Sequence, residues 1–219
     1  MPVKNHNMPT PFHFPSTATS VPQLRTAAKD WANQNIDLSP AEAERLVMSL
    51  IRDKDPLKKC MAGILLGYLP AQRKALDPRL CDQWLDHTIG WAAVDAICYA
   101  NFTADELLEN FPTWEKLIKG LVKSENPNKR RAAMVLLTKP VTRSADRRLG
   151  RLAFHLIDQT KHEKDILLTK AISWLMRSLV KLHKKELETY IRQSKDTLPA
   201  IALRETANKL RTGRKSGKE

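Results

Sequence analysis

The sequence predicts an all-α chain, folded as a curved solenoid of stacked helical pairs with a basic concave face. Three observations carry this prediction. Apolar residues recur three and four apart in nearly every segment, which is the period of one helix face. Pro, Asn, Asp and capping-box Ser or Thr punctuate the chain where helices would begin. The β-branched alternation that marks strands is missing.

Taken in order, residues 1–20 (MPVKNHNMPTPFHFPSTATS) are rich in Pro, Asn, Ser and Thr and lack the apolar run of a signal peptide, so a disordered arm is expected. Val21-Pro22 opens the first helix, and Ser39-Pro40-Ala41-Glu42 is a capping box with proline at the first helical position. Asp55-Pro56 starts the helix LKKCMAGILLGYL, Thr103-Ala104-Asp105-Glu106 forms another capping box, and Asn126-Pro127 starts the segment containing KRRAAMVLLT. Residues 21–211 read as one domain of about ten helices joined by short turns. Residues 212–219 read as a flexible basic tail. No repeat of fixed period is legible, so a degenerate HEAT-like solenoid rests on helix lengths and punctuation.

Composition narrows the function. Apolar residues make up 42% of the 219, enough for a globular core. Lys and Arg number 37 against 24 Asp and Glu, a net charge of +13 that favours a polyanionic partner: nucleic acid or an anionic membrane surface. The plainer reading is a solvated basic surface. Cys60, Cys81 and Cys98 are odd in number, form no C-x-x-C, and read as reduced thiols of an intracellular protein. The scattered histidines make no H-E-x-x-H pair, and seven glycines form neither a P-loop nor a G-x-G-x-x-G. No metal and no cofactor are therefore expected. No apolar run reaches membrane-spanning length, so a cytoplasmic protein without a membrane partner is expected.

Helical geometry separates each core stripe from what opposes it. At 100° per residue along HTIGWAAVDAICYA, Ile89, Ala93, Ala96, Ile97 and Ala100 share one side, and Trp91 and Asp95 stand together on the other. In DILLTKAISWLMRSLVKL the stripe is Leu168, Ala171, Ile172, Leu175, Leu179 and Leu182, while Lys170, Arg177 and Lys181 point away with Trp174 beside them. In KRRAAMVLLT, Ala133, Leu136 and Leu137 form the stripe and Arg131 lies opposite. Each residue also has a duller explanation. The tryptophans would pack on a neighbouring layer, Asp95 would form a structural ion pair, and Arg131 would continue the exposed Lys129-Arg130 run.

At these residues the chain resembles the AlkD-like DNA alkylation-repair glycosylases, which are built on HEAT-like repeats. The resemblance runs from about Val21 to about Arg211 and is carried by VPQLRTAAKDW, WLDHTIGWAAVDAIC, and above all TKAISWLMRSLVK followed by LPAIALRETANKL. It implies that Asp95, four residues after Trp91, is the catalytic carboxylate, that Trp91 and Trp174 contact the substrate, and that Arg131 and Arg177 are the matching arginines. Two positions depart from the family's pattern. Ala92 stands where an acidic residue is common, and Asn128 where an aromatic is common.

The chemistry implied is excision of N3- or N7-alkylated purines from duplex DNA. The alkylated base is a cationic leaving group that needs no general acid, so a carboxylate has only to stabilise the oxocarbenium ion and orient water. The resemblance further implies that the base stays stacked, rather than being flipped into a pocket as in most glycosylases. Arg131, Arg177 and Lys170 would clamp phosphates, with Arg143, Arg147, Arg148 and Arg151 further out. The protein is expected to act as a monomer on double-stranded DNA. Two alternatives stay open: a non-catalytic nucleic-acid-binding scaffold, and a protein-interaction array. Asp95 buried against an Arg would favour the scaffold.

Overall fold

A computed structural model describes residues 12–14, 20–99 and 101–215. Among them are thirteen α-helices, one 3-10 turn at Pro140–Thr142 and no strand. The helices are α1 Val21–Gln34, α2 Pro40–Arg52, α3 Pro56–Tyr68, α4 Pro70–Ala75, α5 Leu80–Asp86, α6 Trp91–Cys98 and α7 Ala104–Glu109. They continue as α8 Phe111–Leu121, α9 Pro127–Thr138, α10 Arg147–Thr160, α11 Ile166–Leu179, α12 Lys184–Ser194 and α13 Ala200–Thr212. The expected starts at Val21, Pro40, Pro56, Ala104 and Pro127 are all present, because each follows a side chain that terminates the preceding turn. Ser39 and Thr103 exchange hydrogen bonds with Glu42 and Glu106 in complete capping boxes, and Asp55 and Asn126 accept from the second helical amide.

The helices stack in two layers. α3, α6, α9, α11 and α13 pack successively side by side as one row, with α1 and α2 covering α3, α8 and α10 flanking α9, and α12 beside α11. This is the layout of a HEAT-like solenoid. α9 is the central beam. Ala132, Ala133, Met134, Val135, Leu136 and Leu137 are all fully buried, so the helix is apolar all round rather than on one stripe.

One backbone contact fixes where α6 lies. A Cβ on Gly63 of α3 would fall inside the van der Waals envelope of the Ala96 carbonyl group, so only glycine lets these helices approach so closely. Asn101 clamps the same crossing, its amide donating to the carbonyls of Gly63 at 2.8 Å, Ala96 at 2.9 Å and Ile97 at 2.8 Å. The turn leading into α6 is tied from both sides. Lys59 Nζ donates to the His87 carbonyl at 2.7 Å, and Asn128 Nδ2 to the Thr88 carbonyl at 3.2 Å. Gly90 then takes φ +84°, a left-handed conformation that costs a side-chain-bearing residue, and α6 begins at Trp91.

The structure alters several expectations. Helix α6 starts later than HTIG suggests, which leaves Ile89 outside it and 77% exposed instead of in the packing stripe. Ala100 lies outside the described residues. Within the arm expected to be disordered, Phe12 and Phe14 pack on the core, Phe12 edge-on to Trp31 with centroids 5.5 Å apart. Aromatic area outweighs the polar composition there. Thr212, placed in the flexible tail, ends α13, and Asn208 folds the next residues back by bonding the carbonyls of Arg214 and Lys215. Residues 216–219 lie outside the described residues.

Candidate active site

The residues singled out on α6, α9 and α11 stand on three consecutive helices of the row, and two of them, Asp95 and Arg131, are in contact. Trp91 is 53% exposed at the start of α6. Asp95, one turn later, is only partly exposed and meets Arg131 of α9 in a two-point ion pair. Arg131 Nε donates to Asp95 Oδ1 at 2.9 Å and Nη2 to Oδ2 at 2.7 Å. The third edge of the guanidinium, Nη1, donates to the Leu167 carbonyl at the start of α11, 2.6 Å away. One side chain thus ties α6, α9 and α11 together.

That geometry gives Arg131 partners inside the protein. It is 7% exposed, because α9 is covered on all sides and the face opposite its apolar stripe meets other helices instead of water. Each of its three nitrogens donates one hydrogen bond within the protein, which places it to orient Asp95. A carboxylate has about four lone-pair positions. Arg131 occupies one on each oxygen, and the others are left for water or a reacting centre. Asp95 is partly buried and paired with an Arg, which favours the scaffold reading, yet 17% of its side chain stays exposed, one helical turn from the exposed indole of Trp91.

On α11, Trp174 is half-buried and lies against Tyr99, with ring centroids 4.7 Å apart and planes tilted by 45°. Arg177 is also partly buried. Its Nε approaches Glu205 Oε2 of α13 at 3.2 Å and the Ser173 hydroxyl at 3.4 Å. Burial pushes the Arg177 pKa down, and the Glu205 carboxylate pushes it back up. Lys170 is exposed on the same helix. Arg143, Arg147, Arg148 and Arg151 are exposed too, but they lie on α10 and the loop before it, outside that row. Arg148 is held by Asp146 at 2.8 Å and stacks over Phe111, while Arg147 and Arg151 line a groove of about 490 Å³ between α10 and α12.

Cys98, one turn beyond Asp95 and fully buried, has its thiol pKa pushed well up, first by burial and then by its neighbour Cys81, which keeps it a protonated spectator. Among the described residues no cluster of His, Cys, Asp and Glu is arranged to hold a metal ion. No helix there is long and apolar enough to cross a membrane.

Sequence reasoning missed Tyr99, Ser173 and Glu205. Tyr99 was within reach, since Trp91, Asp95 and Tyr99 repeat every four residues along one helix face. Glu205 lies in the stretch LPAIALRETANKL, but nothing local tells a structural Glu from one facing a site.

The fold is an all-helical stack of repeats whose central row carries an Asp–Arg pair, with an exposed Trp on α6 and a partly buried Trp on α11. The chain belongs to the DNA alkylation repair enzyme family, whose model matches residues 3–210. Its fold is similar to that of a predicted DNA alkylation repair enzyme from Enterococcus faecalis, at TM-score 0.70 and 15% identity, over 88% of this chain and 87% of that one. No curated protein sequence matches it.

Proposed function

We propose that the protein is a monofunctional DNA glycosylase that hydrolyses the N-glycosidic bond of cationic N3- or N7-alkylpurines in duplex DNA, acting as a monomer without metal or cofactor. The observation that carries this is Asp95: a partly exposed carboxylate, rigidly oriented by Arg131, beside an exposed indole on a basic protein.

The C1′–N bond breaks and its electron pair leaves with the base, neutralising the ring's positive charge. The sugar is left as an oxocarbenium ion. Asp95 faces that charge and accepts a proton from the water that attacks C1′. A charge pair at about 4 Å, with an effective dielectric of about 20, is worth about 4 kcal/mol. That is roughly a thousandfold in rate, enough for a bond already weakened by the leaving group's charge. Trp91 and Trp174 add attraction for the cation through their ring faces, about 0.5–2 kcal/mol. An exposed ledge of this kind suits a lesion reached along its sugar-phosphate backbone, with the base left stacked. Lys170 and Arg177 supply the nearby phosphate contacts, and Arg143, Arg147, Arg148 and Arg151 add a more distant positive field.

The Asp95–Arg131 pair also favours a second reading, in which Asp95 is a strut between α6 and α9 in a non-catalytic DNA-binding scaffold. Asp95→Asn separates the two. On methylated duplex DNA the wild type should release alkylpurine and leave abasic sites in unbroken strands, and Asp95→Asn should lose two to three orders of magnitude in rate while still binding DNA. Equal release by both proteins, or release no faster than spontaneous loss, would leave only the scaffold.

A further inference from the structure

Arg131 and Arg177 look equivalent in the sequence but are wired differently. Every nitrogen of the Arg131 guanidinium donates a hydrogen bond within the protein. Arg177 is gripped only at Nε, by Glu205 and Ser173, and among the described residues neither of its terminal nitrogens makes a hydrogen bond. The grip is itself anchored. Ser173 is fully buried and its hydroxyl donates to Glu205 Oε2 at 2.6 Å, so its lone pairs face the Arg177 Nε–H. Glu205 and Arg177 are each about five-sixths buried, with side-chain exposures of 17% and 16%.

We propose that Glu205 is a positioning residue for DNA binding: together with Ser173 it holds Arg177 by its Nε edge and so presents both terminal nitrogens to one backbone phosphate beside Trp174. The inference rests on the DNA-directed reading above and deepens it. An arginine fixed in this way loses little rotamer freedom when it binds, and two parallel N–H groups match a phosphate bidentately. A carboxylate on a DNA-binding face otherwise repels the ligand. Its presence here is offset by Lys215 Nζ, 3.8 Å from Oε1, and by the orientation it imposes.

The sign of the effect makes the test. Affinity of the full-length protein for an undamaged, fluorescently labelled duplex is measured across NaCl concentrations, with excision from methylated duplex measured in parallel, for wild type, Glu205→Gln, Ser173→Ala, Arg177→Ala and the double variant Arg177→Ala/Glu205→Gln. Removing an anion beside DNA should tighten binding if Glu205 acts only through its charge. Positioning predicts the opposite: Glu205→Gln binds about tenfold more weakly, with the salt slope reduced by about one unit. In the Arg177→Ala background the same substitution should cause no further loss. Ser173→Ala should move in the same direction by a few-fold, and it carries the test if Glu205→Gln does not fold. Unchanged or tighter binding by Glu205→Gln, or an equal loss in the Arg177→Ala background, overturns the inference. A wild type that binds DNA but releases no alkylpurine overturns the glycosylase reading instead, and leaves the slopes to decide this one.

Discussion

Tyr99 and Trp174 lie ring against ring, 4.7 Å between centroids, although their helices are not neighbours in the row. α9 stands between α6 and α11. Packed helices are about 8–10 Å apart, so two helices flanking a third in a flat layer would be separated by nearly twice that. The two side chains reach toward each other across that span, so the pair links the end of α6 to α11 past the middle helix. Arg131 makes a second link between the same two helices, bonding Asp95 of α6 and the Leu167 carbonyl of α11.

Trp91→Ala should therefore be a functional variant and not a stability variant. The indole is half-exposed, and removing it should change unfolding free energy by no more than about 0.5 kcal/mol. Excision should fall by about tenfold, as a cation–π contact of up to about 2 kcal/mol disappears. Thermal melts alongside single-turnover excision check both halves. A large drop in melting temperature with unchanged excision would contradict the site.

Trp174→Ala should cost both. It removes a half-buried ring that packs on the core and supports Tyr99, for which about 2 kcal/mol of destabilisation is expected, and it weakens DNA binding and rate together. Tyr99→Phe keeps the ring contact and should leave stability within about 0.5 kcal/mol of wild type.

The Asp95–Arg131 pair predicts asymmetric damage. Arg131→Ala leaves a partly buried carboxylate without its counterion, and about 3 kcal/mol of stability should be lost, as read by chemical denaturation. Arg131→Lys should be nearly as harmful, since an ammonium cannot meet both Asp95 oxygens and the Leu167 carbonyl in the same plane. The salt slope of DNA binding should fall by about one unit in Arg177→Ala and stay unchanged in any Arg131 variant that folds. A slope lost at Arg131 would restore it as a phosphate contact.

Gly63→Ala tests how Asp95 is placed. Adding one methyl group where the α3 and α6 backbones touch should cost about 1–3 kcal/mol. Excision should fall by more than the melting temperature alone explains, because α6 carries Trp91 and Asp95 with it. If activity simply tracked the folded fraction, α6 would not be positioned by this crossing.

These outcomes also show which parts were legible in the sequence. Helix starts were, because a capping box or an Asp-Pro pair is a local device: Ser39, Asp55, Thr103 and Asn126 act within three residues of themselves. The Trp91–Asp95 pair was legible for the same reason, as both stand on one face of one helix. Arg131 was legible as a residue of interest, but its partners within the protein were not. Its surroundings come from α6 and α11, each 36 residues away, and a helix that is buried all round has no solvent face to which it can be assigned. Ile89 differs for another reason: Gly90, at φ +84°, breaks the helical period, so the 100° spacing of α6 does not extend back to it.

Stacked-repeat proteins unzip from their ends, because a terminal repeat has a neighbour on one side only. α13, the last helix of the row, packs chiefly on α11 and holds Arg177 through Glu205. The row's least secured element thus bears on its centre. Warming the protein should free α13 first, and amide exchange along Ala200–Thr212 should quicken while α9 stays protected. Over that interval the Asp95–Arg131 pair would remain assembled and Arg177 would swing loose, so grip on DNA should fade at a lower temperature than the fold itself.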